Sequence, residues 1–262
     1  MASHPNRFPR VFVINLERAT DRKQDIQKLL DSLNIPFEFI KATDGKFFTE
    51  NEFALYSKKE TRKLLGYELT PNELACAISH LRIYEKMIQE NIEQALILED
   101  DANFDHTLVS VLENLDAFPS DWGIINFSSA TYTYPTQHEV IPGHVVSEFK
   151  KPVKFCVGYL LSLDAAKKLI ELAYPVRCPA DFLTGRAGIT YFKTYGIFPR
   201  VIWQKREAGE GSNIGIREHK PNLLWRIKRY LRLLLPVKFR KIPDLPDGTE
   251  TASFIKSVLR RS

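Results

Sequence analysis

The stretch ALILEDDANF, residues 95–104, joins an unbroken apolar run to three consecutive carboxylates, Glu99, Asp100 and Asp101. The apolar run predicts a strand buried on both faces, as in a parallel sheet covered by helices. Three adjacent negative charges repel one another, so a positively charged group is expected where this strand ends. The stretch therefore predicts a central strand and a ligand site together.

The first 45 residues predict one strand–helix–strand unit. RVFVINL, residues 10–16, has the composition of a strand, and PFEFIK, residues 36–41, that of a second one before a turn at Asp44 and Gly45. The helix between them carries apolar residues at i, i+3, i+4 and i+7, namely Ile26, Leu29, Leu30 and Leu33. A crossover of this length predicts that the two strands are parallel.

A long helix should precede the acidic strand. In TPNELACAISHLRIYEKMIQEN, residues 70–91, Thr70 and Glu73 form a capping box and Pro71 suits the first helical position. Residues 46–69 read as a polar insertion with one short helix. WGIINFSS at 122–129 and KFCVGYLLSLDAAKKLIELA at 154–173 predict a further strand and a strand–helix pair, with Ser162 near the cap. We expect an α/β domain over residues 1–215, with a mostly parallel central sheet flanked by helices, and a basic tail over 216–262.

In such sheets ligands bind beyond the carboxyl ends of the strands. The segments that follow the first three strands should therefore share one crevice, which brings Arg18 and Arg22 close to the three carboxylates. Glu99 and Asp101 should point to one side and Asp100 to the other. Oxygen ligands in this arrangement suit Mg²⁺ or Mn²⁺. The same three acids also fit a simpler role at a solvated turn.

Composition limits the other function classes. Residues 216–262 contain 12 Lys/Arg and 4 Asp/Glu, whereas residues 1–215 contain 25 and 28, so the body is mildly acidic and nucleic acid is not an expected partner. The three cysteines, Cys76, Cys156 and Cys178, form no CxxC pair, which predicts reduced thiols and no structural zinc site. The N-terminal residues lack a signal peptide's apolar core, and a cytoplasmic protein without a membrane span is expected.

The segments VFVINLERATDR, FIKATDGK, ELACAISHLRIYEKMI and ALILEDDA, in this order, resemble bacterial glycosyltransferase family 25. Members of that family extend the sugar chains of lipopolysaccharide or lipooligosaccharide, and the resemblance covers about residues 10–204. It implies a glycosyltransferase A-type, Rossmann-like nucleotide-sugar-binding fold. It also implies that Asp101, and after it Glu99, hold a Mn²⁺ or Mg²⁺ ion that bridges to the diphosphate of a UDP-sugar.

The resemblance then gives roles to the remaining polar residues near the strand ends. The predicted nucleotide-sugar contacts are Asn15, Arg18, Arg22, Asp44, Gly45, Ser79, His80 and Asp100. Guanidinium groups suit phosphate oxygens, although Arg18 and Arg22 would also be ordinary at a solvated helix start. Ser79 and His80 lie within a helix, where a structural role is the competing interpretation.

The second half of the chain supplies the expected base. Asp181, in the loop RCPADFLTG, matches an acid of the family and could remove the proton of the attacking acceptor hydroxyl. Gly158 predicts a close approach, either of the donor sugar or of packed backbone. The Gly-rich residues 209–215 suggest a mobile lid.

The resemblance favours a galactosyltransferase that uses UDP-galactose with inversion and forms a β-1,4 linkage. Transfer from UDP-N-acetylglucosamine or another UDP-hexose, a nucleotidyltransferase, and a non-catalytic sugar-binding protein remain alternatives.

The tail supports a separate prediction that needs no family. Residues 220–241 contain eight Lys/Arg and no acid, with leucines at helical spacing. A basic amphipathic helix of this kind suits an anionic membrane surface. A helix docked on the acidic body is the alternative. The expected location is the cytoplasmic face of the bacterial inner membrane, beside a lipid-linked oligosaccharide acceptor.

Overall fold

The structure is a computed structural model that describes residues 8–128, 133–153 and 156–205. The predicted lid at 209–215 and the basic tail lie outside these residues, as does the expected domain boundary at residue 215. The body before that boundary is an α/β fold, as the sequence predicted.

The elements follow in chain order. The strands are β1 (Arg10–Asn15), β2 (Glu38–Lys41), β3 (Gln94–Glu99), β4 (Ala102–Phe104), β5 (Trp122–Asn126), β6 (Thr133–Ile141), β7 (His144–Phe149), β8 (Gly158–Ser162), β9 (Lys193–Phe198) and β10 (Ile202–Gln204). The helices are α1 (Thr20–Ser32), α2 (Glu50–Ala54), α3 (Lys58–Leu65), α4 (Pro71–Gln89), α5 (His106–Glu113), α6 (Leu163–Ala173), α7 (Ala180–Phe182) and α8 (Gly188–Tyr191). A 3₁₀ turn spans Leu115–Ala117, and a π-helical turn spans Leu183–Ala187.

Within the described residues, eight strands form a central sheet in the order β2-β1-β3-β8-β5-β9-β7-β6. The predicted parallel pairing holds for β1 with β2, and β1 is also parallel to β3. The expectation of a mostly parallel sheet is wrong beyond β3. There β8 runs antiparallel between β3 and β5, and the β6–β7 hairpin adds two more antiparallel contacts, so the sheet is mixed.

The sheet is covered on both faces, which explains the unbroken apolar run of β3. Ala95 and Ile97 belong to a core that includes residues of α4 and α6, whereas Leu96 and Leu98 belong to a second core with residues of α1 and α5. Side chains of a strand alternate between faces, so every apolar residue of β3 is buried. The central position predicted for this strand is confirmed.

Helix α4 begins as its sequence predicts, with Pro71 in the first turn and a complete capping box between Thr70 and Glu73. The insertion before it contains two short helices, α2 and α3, rather than one. Glu52 connects this insertion to the frame, because its carboxylate accepts hydrogen bonds from Thr43 and from Arg82 of α4.

A second, small sheet follows the acidic strand directly. Strand β4 pairs antiparallel with β10, with Gln204 opposite Ala102. The distant C-terminal part of the described chain is thereby held beside residues 99–101. Among the described residues, no helix combines the length and the apolar character needed to cross a bilayer.

Candidate active site

The acidic motif, residues 99–101, lies where β3 leaves the sheet, next to the end of β1. Asn15, the last residue of β1, donates a hydrogen bond to Oδ2 of Asp100 at 2.9 Å. Arg22, in the first turns of α1, approaches Oδ1 of the same carboxylate at 3.3 Å. The predicted crevice therefore joins the ends of β1 and β3, and Arg22 supplies the positive charge expected at the strand end.

Asp101 has one satisfied and one unsatisfied oxygen. Its Oδ2 accepts a hydrogen bond from Nε2 of Gln204 at 2.7 Å. Its Oδ1 is buried and has no hydrogen-bond partner among the described residues. Burial, followed by the negative charge of Glu99, raises the pKa of Asp101 to about 6. A cation next to Oδ1 would relieve both effects.

An open pocket of about 380 Å³ lies against this side of the motif. It is lined by Arg22, Asp25, Ile26, Lys28, Leu29, Asp100, Asp101, Ala102, Asn103 and Lys205. Three cations, two acids of the motif and an apolar patch from α1 suit a ligand with a charged and an apolar part. We refer to this face of the motif, with Asp100, Asp101 and Arg22, as the pocket side.

The other predicted contacts near the first two strands are engaged elsewhere. Arg18 makes an ion pair with Asp44 at 2.7 Å, so these two residues bind each other. A Cβ at Gly45 would come within 2.8 Å of the carbonyl of Pro71, so Gly45 lies tightly against the start of α4. None of these three residues lines the pocket.

Ser79 also has a role within the fold. Its hydroxyl accepts a hydrogen bond from the backbone N–H of Thr43 at 2.9 Å and donates to the carbonyl of Ala75 at 2.8 Å. These bonds tie the segment after β2 to α4. They account for this buried serine without a nucleotide.

Glu99 turns away from Asp101 toward the interior. Its Oε1 accepts a hydrogen bond from Sγ of Cys156 at 3.0 Å and lies 3.5 Å from Nε2 of His80. Cys76 completes a group of four ligand atoms that all lie within 4.8 Å of one another. We call Cys76, His80, Glu99 and Cys156 the thiol cluster.

His80 is only 1% exposed, so the structure moves it from the predicted nucleotide contact to an interior position. Its Nδ1 is hydrogen-bonded to the hydroxyl of Tyr159 at 2.8 Å, and that hydroxyl is bonded to Tyr84 at 2.6 Å. Burial opposes a charged ring, yet the neighbouring Cys76 thiol and Glu99 carboxylate raise the pKa of His80 to about 9.

The charge of His80 also acts on its neighbours. Burial favours the neutral acid, but His80 holds the pKa of Glu99 below its ordinary value. A hydrogen bond with Cys156 lowers the pKa of Cys76 to about 7, whereas the pKa of Cys156 is raised by that bond and by burial.

The predicted base, Asp181, lies in the short helix α7. Its negative charge contributes to the raised pKa of both Cys156 and Cys178, and its neighbours Ala180 and Leu183 lie in the core that contains Cys156. The base role remains a prediction. Gly158 packs against Ile202, since a Cβ would come within 2.5 Å of that side chain, which favours the backbone-packing interpretation.

Sequence reasoning missed three residues around the pocket. Gln204 contacts Asp101, and Lys205 donates its backbone N–H to the carbonyl of Asp101 while its Nζ pairs with Asp25 at 2.6 Å. About 100 residues separate Gln204 from Asp101, and only the β4–β10 pairing brings them together. The sequence signal for this contact is the short apolar run before Gln204, residues 201–203, which has the composition of a strand.

Comparison with known proteins shows the family of this chain. The model of "Glycosyltransferase family 25 (LPS biosynthesis protein)" matches residues 8–184, which include both α4 and the acidic motif. The chain belongs to glycosyltransferase family 25. The resemblance noted in the sequence is thereby confirmed.

The family 25 chain is similar to longer curated proteins. It is 29% identical over 178 residues to procollagen galactosyltransferase 1-B of Xenopus laevis, covering 63% of this chain and 28% of that protein. A glycosyltransferase 25 family member of Aedes aegypti is 30% identical over 174 residues, covering 62% and 28%. A Bos taurus protein named "probable inactive glycosyltransferase 25 family member 3" is 27% identical over 183 residues, covering 65% and 30%. The matched part is thus under a third of each relative.

Two solved glycosyltransferases overlap the family 25 chain at low scores. A viral enzyme involved in glycosylation of the PBCV-1 major capsid has a TM-score of 0.32 at 10% identity, covering 62% of this chain and 65% of its own. Mouse xyloside xylosyltransferase 1 has a TM-score of 0.34 at 13% identity, covering 90% and 82%.

Proposed function

We propose that this protein transfers a hexose from a UDP-sugar to a hydroxyl of a growing lipooligosaccharide or lipopolysaccharide chain. The observation that carries the proposal is the pocket side of the acidic motif, where Asp100, Asp101 and Arg22 meet at the end of a central strand. A carboxylate pair next to a guanidinium suits a diphosphate that arrives with a divalent cation. Membership of family 25 supports the reaction class.

The residues of the pocket side fit a hard divalent cation such as Mn²⁺ or Mg²⁺. Oδ1 of Asp101 is a buried carboxylate oxygen without a hydrogen-bond partner in the described part of the chain, and oxygen is the ligand type these ions prefer. Asp101 would hold the ion, while Asp100 is already fixed by Asn15 and Arg22. When bound, the ion would neutralise charge on the departing UDP.

The chain's own side chains would carry the other tasks. Arg22 would pair with the diphosphate, and Lys28 and Lys205, which also line the pocket, would add positive charge. Asp181 would accept the proton of the acceptor hydroxyl as that oxygen attacks the anomeric carbon from the face opposite UDP, which inverts its configuration. The carbon–oxygen bond to UDP breaks in the same step.

UDP-galactose is the proposed donor, and galactose is the sugar transferred. The procollagen galactosyltransferases among the relatives support this sugar by name, and the family description supports a lipopolysaccharide acceptor. A lipid-linked acceptor also suits the basic tail at 220–241, which we propose binds the anionic surface of the inner membrane from the cytoplasm. Each cation near such a surface contributes on the order of 1 kcal/mol.

A donor panel tests the reaction. The full chain, with Mn²⁺, would receive UDP-galactose, UDP-glucose or UDP-N-acetylglucosamine together with truncated lipooligosaccharide. We expect UDP release that depends on the acceptor, with UDP-galactose the best donor and a product heavier by one hexose in mass spectrometry. If UDP-N-acetylglucosamine were the only one of the three donors to give UDP release, the reaction class would stand and the proposed donor would change from UDP-galactose to that sugar nucleotide.

Two other outcomes would replace the reaction class. The relative named as probably inactive makes a non-catalytic sugar-binding protein a specific alternative. Donor binding in calorimetry without UDP release would support that alternative. Pyrophosphate release from UTP and a sugar phosphate would instead support a nucleotidyltransferase.

The tail has its own experiment. Full-length protein and a variant lacking residues 220–262 would be mixed with anionic and with neutral vesicles at low salt. We expect the full chain to sediment with anionic vesicles only, and the truncated chain to lose transfer to lipid-borne acceptors more than to soluble ones. Absence of the full chain from the anionic pellet would contradict the membrane proposal while leaving the transfer reaction intact.

A further inference from the structure

Four potential metal ligands from three parts of the chain meet behind the acidic motif. Cys76 and His80 lie four residues apart on α4 and therefore project from the same face of the helix. Glu99 is the last residue of β3, and Cys156 lies two residues before β8 begins. The backbone N–H of Glu99 donates to the carbonyl of Val157 at 3.0 Å, which fixes Cys156 beside Glu99.

The imidazole of His80 points an unsatisfied nitrogen into this group. Its Nε2 is buried and has no hydrogen-bond partner among the described residues. Oε1 of Glu99 lies 3.5 Å from this nitrogen, beyond the usual range of an N–H···O hydrogen bond. A buried polar nitrogen that faces two thiols and a carboxylate lacks the group that would satisfy it.

The opposite nitrogen of the ring is held in place. Nδ1 of His80 is bonded to the hydroxyl of Tyr159, which is itself bonded to that of Tyr84. Metal-binding histidines generally make such an outer hydrogen bond, because it fixes the ring orientation and the tautomer. Here the bond leaves the Nε2 lone pair directed at Glu99 and the cysteines.

We propose that the thiol cluster binds one zinc ion through Sγ of Cys76, Nε2 of His80, Oε1 of Glu99 and Sγ of Cys156. The ligand atoms of tetrahedral zinc lie roughly 3.3–3.8 Å apart, given bonds of about 2.0–2.3 Å. The separations of 3.5 Å between His80 and Glu99 and 3.0 Å between Cys156 and Glu99 are within about half an ångström of that range.

Ligand chemistry separates this site from the pocket side. Two thiolates and an imidazole favour zinc, whereas the carboxylates of Asp100 and Asp101 favour Mg²⁺ or Mn²⁺. Glu99 is accordingly a zinc ligand, and the hard cation of the proposed reaction depends on Asp101 without it. The zinc site stands independently of the proposed activity.

Metal content and a cobalt spectrum test the site directly. Full-length protein, prepared without oxygen or chelator, should contain one zinc ion per chain by elemental analysis. Replacement by Co²⁺ should give thiolate-to-cobalt charge-transfer absorption, which a carboxylate site cannot produce. Asp101→Asn should keep the zinc.

Three matched variants locate the ligands. Cys76→Ala and Cys156→Ala should each lower zinc content to a small fraction of one equivalent and remove the cobalt–thiolate band. Cys178→Ala is the control, since Cys178 is buried like Cys156 but is not part of the cluster. It should retain full zinc content.

Three results would overturn the proposal. The first is wild-type protein that takes up neither zinc nor Co²⁺ with its thiols reduced. The second is a disulfide between Cys76 and Cys156, found by mass spectrometry after alkylation of anaerobically prepared protein. The third is equal zinc content in the three variants. Because the cobalt titration uses wild-type protein, variants that fail to fold leave the test intact.

Discussion

On its pocket side the acidic motif is open and charged, whereas on its interior side it faces thiols, an imidazole and tyrosine hydroxyls. Asp100 and Asp101 meet Arg22 and a pocket of about 380 Å³. Glu99, one residue earlier, meets His80 and Cys156 among buried neighbours. Three consecutive carboxylates thus serve two chemically different environments, because β3 ends at Glu99 and residues 100 and 101 form a turn, where the two-residue alternation of a strand no longer applies.

The difference shows that consecutive acidic residues need not belong to one binding site. The alternation of side chains along a strand predicted that Glu99 and Asp101 share an ion, but the partners of each carboxylate separate them. A hard cation next to Asp101 and a thiolate-bound cation next to Glu99 can coexist, since the ligand sets differ. Variants that affect one side and spare the other test this division.

The largest effect is expected from Asp101→Asn. Loss of the buried anion should lower transfer by about 100-fold or more, because charge stabilisation at the departing UDP depends on it. Steady-state assays with UDP-galactose would measure this, with the exposed Asp116→Asn as control. In EDTA the wild type should fall to a similar level, and Mn²⁺ should restore it. Full activity of Asp101→Asn in the presence of chelator would contradict the proposal that a metal ion binds on the pocket side.

Arg22→Ala should come next. A charge-assisted hydrogen bond is worth about 1.5–3 kcal/mol, so the KM for the UDP-sugar should rise by about 10- to 100-fold. Arg18→Ala is the matched comparison, because its guanidinium pairs with Asp44 outside the pocket lining, and it should change KM by less than about 3-fold. Equal effects of the two variants would show that the diphosphate binds nearer to Asp44.

Tyr159→Phe examines the interior side. It removes the hydroxyl that joins His80 to Tyr84, so two buried groups lose a hydrogen-bond partner. The free energy of unfolding should therefore fall by about 1–3 kcal/mol. Zinc affinity should fall by about 10- to 100-fold. Tyr195→Phe, which removes a hydroxyl bonded to Asp121, is the control for metal binding. Identical zinc affinities in both variants would show that the tyrosine does not orient the imidazole.

The smallest effect should come from Glu52→Gln, away from both sides. Burial opposes the charge of Glu52, but bonds from Thr49 and Arg82 hold its pKa below its ordinary value. Its charge therefore stabilises the protein at neutral pH, by about 1 kcal/mol, and this contribution is lost as pH falls through the lowered pKa.

Urea unfolding of Glu52→Gln at pH 7 and at pH 3 would measure the difference from wild type. The exposed Glu50→Gln serves as control. A gap that widens toward pH 3 would contradict the assigned sign.

The N-terminal half of the fold was accessible from sequence because its signals are local. The capping box at Thr70 and the crossover between β1 and β2 each lie within a few tens of residues. The crevice followed from strand order, which correctly joined Asn15, Arg22 and Asp100. The direction of the strands beyond β3 could not be predicted from the sequence, since an apolar run such as that of β8 fits parallel and antiparallel neighbours alike.

The thiol cluster was hidden for a related reason. Cys76 and Cys156 are 80 residues apart, so the absence of CxxC spacing argued against zinc. Their proximity depends on β8 entering the sheet beside β3, an antiparallel step that no local pattern announces. Gln204 escaped detection similarly, because its contact with Asp101 depends on the pairing of β10 with β4.

The small β4–β10 sheet also limits how far the pocket can lie from the basic segment of the tail. It ends at the pocket, where the backbone of Lys205 is bonded to Asp101, and only 14 residues lie between Lys205 and Lys220, where the basic segment 220–241 begins. Even a fully extended chain from residue 205 to residue 220 would span only roughly 50 Å. A tail held on a bilayer would therefore keep the pocket within that distance of the lipid headgroups, where anchored acceptors are concentrated and free glycans are not.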